Sequence, residues 1–162
     1  MILDRDQLFE LAQFSMIRMD GAWFMAVAQQ FGKEAAWQTD VAAWRQLSYV
    51  MGKKLRGMLP AEPKWPADFL DALEVLCTVM KIDGRTVTVE DGTITVRVTD
   101  CETQKAIAKA GIADCGIATA ETYQGLARGI YGKDFTLDVR HTKNLNRGAD
   151  CCEIVLTAPV SR

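Results

Sequence analysis

The feature that most constrains this chain is a change of hydrophobic period at Gly84. Before it, apolar residues recur every three or four positions. After it they alternate with threonine and arginine. A period of 3.6 buries one stripe of a helix and a period of 2 buries one face of a strand, so the chain must place helices before a sheet. The helical part reads as three segments. Residues 4 to about 31 carry Leu8, Leu11, Ser15 and Met19 on one stripe, with Asp4 as an N-cap, and Asp20-Gly21 is expected to break or kink them. Val41, Trp44, Leu47, Met51, Leu55 and Met58 mark a second helix, Pro60, Pro63 and Pro66 a loop, and Phe69, Leu73, Leu76, Cys77 and Met80 a third helix.

Beyond Gly84, Val87 and Val89, then Ile94, Val96 and Val98, predict a hairpin turning at Glu90-Asp91-Gly92, with one buried and one polar face. Helices over about 102–110 and 116–131 follow, closed by Gly111 and Gly132. Phe135, Leu137 and Val139, and then Ile154 and Leu156, predict a second hairpin. The fold class is therefore α+β. A helical lobe (1–82) precedes a ββααββ lobe (83–162) with a four-stranded antiparallel sheet, in one domain spanning 1–162.

Charge narrows the partners. Lys and Arg number 19 against 21 Asp and Glu, a net charge of −2, which argues against nucleic acid as the target. The longest apolar run, Ala22 to Ala28, is far short of the roughly 20 residues that span a bilayer, and the acidic start, with Asp4, Asp6 and Glu10, does not resemble a secretory signal. A cytoplasmic protein without a membrane span is expected. Its five cysteines are then thiols or metal ligands rather than structural disulfides.

Strand parity brings two of the reactive residues together. His141, the single histidine, has the parity of Val139, and Cys152 that of Ile154 and Leu156. In an antiparallel pair whose apolar sets share a face, His141 and Cys152 stand opposite or diagonal, within about 4.5–8 Å at Cβ. A satisfied core histidine beside a small buried cysteine accounts for the same pattern. Cys101 and Cys115 each stand at a helix start, where free amides and the macrodipole favour a thiolate. Cys77 reads as core filling, and Cys151 points to the face opposite Cys152. Met19, Trp23 and Phe24 suit a flexible apolar ligand pocket, ordinary core packing, or a subunit contact in a homodimer. No dinucleotide, nucleotide-triphosphate, serine-hydrolase or zincin motif occurs.

The segment RMDGAWFMAVAQQFG from Arg18 to Gly32, TDCETQ from Thr99 to Gln104, Cys115, YQGLA from Tyr123 to Ala127, and GADCCEI from Gly148 to Ile154 together resemble a group of cytosolic proteins related to L-2-amino-thiazoline-4-carboxylate hydrolase. That resemblance implies an α+β fold akin to the 4-vinyl reductase domain, whose relatives bind small or hydrophobic molecules and often dimerise. It also implies that Cys101, Cys115 and Cys152 occupy the family's cysteine positions. A further cysteine, near a Cys-Pro-Pro stretch in many members, is missing here, and His141 or Thr142 stands in that region.

The leading expectation is a small-molecule-binding domain in which Cys101, Cys115, Cys152 and His141 hold a metal, zinc first and iron second. The alternatives are a hydrolase in which Cys115 or Cys101 attacks a thiazoline-like or cyclic amide ring while His141 shuttles protons, and a structural homodimer with inert thiols.

Overall fold

The computed structural model describes residues 2–158. Three helices lead the chain: α1 (Arg5–Phe31), α2 (Lys33–Arg56) and α3 (Ala67–Val79). Strands β1 (Gly84–Glu90) and β2 (Thr93–Asp100), helices α4 (Glu102–Lys109) and α5 (Gly116–Tyr131), and strands β3 (Asp138–Lys143) and β4 (Cys152–Thr157) complete it. Asp4 caps α1 in a capping box with Gln7. The expected break at Asp20-Gly21 does not occur, and α1 runs unbroken through both residues. One glycine costs a helix about 1 kcal/mol, too little to interrupt 27 residues. The helix ends at Gly32, whose φ of 88° turns the chain directly into α2.

The four strands form one antiparallel sheet in the order β1-β2-β4-β3. Its first turn takes positive φ at Asp91 and Gly92, 49° and 74°, the backbone that a two-residue hairpin with native twist demands. Ile94, Val96 and Val98 of β2 pair with Leu156, Ile154 and Cys152 of β4, so these six share the face turned to the helices. They join Phe69, Leu73 and Leu76 of α3, Trp44 of α2, and Leu126 and Ile130 of α5 in one core. The opposite face is polar, with an Arg97–Glu153 ion pair across β2 and β4.

Two details differ from the sequence expectation. Val87 and Val89 have the inward parity but lie on edge strand β1, beyond the helical cover, and stay about two-fifths exposed. Phe135 and Leu137 precede β3: Gln124 of α5 accepts the Leu137 N–H (2.8 Å) and donates to the Phe135 carbonyl (2.9 Å), which holds this stretch off the sheet. Phe135 instead stacks on Tyr131, ring centroids 4.6 Å apart.

Candidate functional site: a thiol-lined cavity

Between the inner face of the sheet, α5 and α4 lies a cavity of about 110 Å³. Its wall is almost wholly apolar, with Trp44, Leu76, Met80, Ile82, Val98, Ile107, Ala118 and Ile154 contributing. Into it open Cys77, Cys101, Cys115, Cys152, Tyr123 and His141. The three cysteines and the histidine singled out from the sequence therefore meet at one hollow, although they come from four separate elements.

The strand register explains the His141–Cys152 side of the cavity. His141 pairs with Ile154, and Cys152 sits one inward position further along β4, diagonal to the imidazole. A bulge after His141 shifts the register so that Lys143 faces Glu153. The imidazole rests on the first residue of α5. A Cβ on Gly116 would stand 3.0 Å from His141 Nδ1 and 2.9 Å from Asp114 Oδ1, so the position has no room for a side chain. Both ring nitrogens are buried and neither has a hydrogen-bond partner of full geometry. Such an unpaired polar group is costly in a dry site.

The cysteines differ in environment. Cys101 is the N-cap of α4, its sulfur accepting the Gln104 N–H at 3.4 Å, yet burial pushes its thiol up. Cys115 precedes α5 without capping it; Asp114 Oδ1 accepts the Gly116 N–H at 2.8 Å instead. The Cys115 thiol donates to Asn144 Oδ1 at 3.9 Å. Its nearness to Cys152 and its burial push the Cys115 thiol up, and the nearness of Cys115 lowers Cys152. The Leu145 N–H, 3.5 Å from Cys152 Sγ, further favours a Cys152 thiolate. These surroundings favour the charged form of Cys152 over that of Cys115. Cys77 is pushed up to about 11 by burial. Cys151 stands apart from the cavity, its sulfur 3.6 Å from the Asp150 carboxylate.

A polar brace that the sequence did not reveal fixes this geometry. Buried Asn144 donates to Asp114 Oδ1 (2.6 Å) and accepts the Asn146 N–H (2.8 Å), Arg147 pairs with Asp114, and Gln104 of α4 donates to Asn146. The signal available was the Asn144–Gly148 turn, whose helical 3-10 start takes an Asn cap. Among the described residues, no group of three or more histidine, cysteine or acidic side chains is gathered so as to hold a metal ion.

The apolar residues of α1 take other places. Met19 and Trp23 are exposed at 69% and 58% and line neither the cavity nor a neighbouring groove. Phe24 lines a separate groove of about 520 Å³ between α1 and α4, which Met80, Thr103 and Ile107 separate from the cavity by bordering both. No described helix is long and apolar enough to cross a membrane.

A helical hairpin leading into an antiparallel sheet, with a small hollow between sheet and helices, defines an α+β domain of a kind already seen in a solved structure. The crystal structure of the phenol-responsive sensory domain of the transcription activator PoxR with phenol is similar at a TM-score of 0.59, with 12% sequence identity over 88% of this chain and 74% of that one. That likeness is one of fold. By sequence, the chain belongs to a family of unknown function, DUF6125, which it matches over residues 2–140. Comparison with curated proteins gives no match.

Proposed function

We propose that this chain is a small-molecule-binding domain of the sensory kind, and that its ligand is a single-ring, mostly apolar molecule bearing one polar atom. The observation that carries the reading is the cavity: apolar walls surround about 110 Å³, and His141, whose ring nitrogens have no hydrogen-bond partner, is part of its lining. An engineered apolar cavity of about 150 Å³ takes benzene, so this one is of the right order for one ring. A hydroxyl on that ring would give His141 the hydrogen bond it lacks. The sensory domain of similar fold, solved with phenol, makes phenol the first probe. In thermal denaturation, phenol in large excess over its Kd is expected to raise Tm by several degrees, since ~100-fold excess stabilises by about 2.7 kcal/mol. Toluene, which lacks the hydroxyl, is expected to give less, and Ala118→Leu, which fills the cavity from α5, to abolish both shifts. Equal shifts in wild type and Ala118→Leu, or none in either, would overturn the reading.

The same reading includes a second copy of the chain. Helix α1 exposes Leu8, Phe9, Leu11, Phe14, Met19, Trp23, Met25 and Phe31 on both flanks. A helix apolar all round is normally buried. About half the circumference of such a helix, near 40 Å long and 10 Å across, offers on the order of 600 Å², close to the ~800 Å² per partner of a stable interface. The small net charge of −2 leaves little repulsion against self-association.

A further inference from the structure

We propose that the groove between α1 and α4 is a second binding site, and that it takes a protonated primary amine carrying an apolar body. The groove holds about 520 Å³ and is lined by Ile17, Phe24, Met25 and Ala28 of α1 and by Ile107 of α4. Two carboxyl groups stand in that apolar wall, Asp20 from α1 and Asp40 from α2. Helical patterning does not account for them. Asp20 falls within the stripe of Ile17, Gly21, Phe24 and Ala28, at spacings of three and four, and Asp40 lies four residues from buried Ala36 and four from buried Trp44. A solvated acid belongs on the outer face of a helix, and these two are on inner ones.

Charge selects the occupant. Asp40 is only 5% exposed, and Asp20 is partly buried. Among the described residues, the ion pairs made by lysine and arginine go to other acids, and none reaches Asp20 or Asp40. The two lysines that border the groove, Lys33 and Lys109, are exposed, and Lys33 Nζ lies against the turn at Gly111, 2.7 Å from where a Cβ would stand there. An aspartate is almost never fully buried without a partner, and burial raises both of these carboxyls. An ammonium brings three N–H donors and the positive charge that this wall lacks, while its carbon skeleton covers the apolar lining. A neutral guest would leave both acids as they are. An anionic one would add a third negative group beside them.

The test uses the full chain and three probes with one skeleton, octylamine, octanol and octanoate, each titrated by calorimetry at pH 8. That is above the value of about 7 to which burial brings Asp40. The amine is expected to bind at least about tenfold more tightly than the alcohol, and octanoate more weakly than either. Asp40→Asn is expected to abolish the preference for amine over alcohol. Gly21→Leu, whose side chain enters open space in the groove, is expected to weaken binding of the amine. Ala118→Leu, which fills the cavity instead, is expected to leave the amine's affinity as in the wild type, so this site and the cavity can fail separately. Equal binding of amine and alcohol, tighter binding of octanoate, no binding of any probe, a preference for the amine that survives Asp40→Asn, or a loss in Ala118→Leu without one in Gly21→Leu would each overturn the proposal. Asp20→Asn, read in the same way, decides the matter if Asp40→Asn does not fold.

Discussion

Asp40 carries the clearest consequence of burial for a single side chain. It is 5% exposed in α2 and faces Asp20 of α1, which also neighbours Trp44. Loss of water and then the nearby Asp20 charge raise its carboxyl to about 7 from the usual 3.8. Because the folded state keeps a proton that the unfolded chain has released, the contribution to stability is complete below about pH 4 and disappears as pH rises through about 7. Chemical denaturation at pH 5 and pH 8 is expected to show that decline in the wild type. In Asp40→Asn the decline should shrink, with a gain of about 1–2 kcal/mol at pH 8. This carboxyl pair was invisible to sequence reading because nothing in helical periodicity says which polar positions on two helices meet. His141 and Cys152 were legible because a strand's period of 2 fixes both faces once its apolar set is known. Asn144 and Asp114 were not, since turn residues acquire partners only when the chain has closed on itself.

Between elements, the most intimate packing is that of α2 on α5, and it is made by residues with almost no side chain. A Cβ at Gly52 would lie 2.4 Å from the Leu126 carbonyl oxygen, one at Gly125 2.2 Å from Ser48 Oγ, and one at Gly129 2.5 Å from the Tyr49 carbonyl oxygen. Backbone therefore meets backbone, and a methyl group has nowhere to go. Gly129→Ala is expected to destabilise by about 2–3 kcal/mol, read as a lower urea midpoint at unchanged m. Gly21→Ala in α1 is the control: open space surrounds that position, and helix propensity alone should raise stability by up to about 1 kcal/mol. The sequence showed where helices α2 and α5 run but not that they touch. Their glycines interrupt the apolar stripe and carry no pattern of their own. The sheet was far more legible, as alternation in β2 and β4 specifies face and partner together; only the edge position of β1 left Val87 and Val89 without the cover that alternation implies.

For the whole molecule, the imbalance lies in α1. Only Gln13 of its 27 residues is fully buried, held by a 2.6 Å bond from its side chain to the Thr78 carbonyl. If a second copy covers the apolar flanks, sedimentation equilibrium should give a dimer of 18.0 kDa chains, and Leu11→Glu with Trp23→Glu should return the monomer with the sheet signal in circular dichroism unchanged. A monomer at every concentration, in the wild type, would remove the second copy. Helix α4 has a different bearing on the molecule. It separates the hollow from the groove beside α1, yet none of its eight residues is fully buried. With no buried residue of its own, it is the stretch of the wall expected to open most readily, so a guest's residence time should follow how often this short latch lifts, and affinity should be tunable there without touching the floor of the chamber.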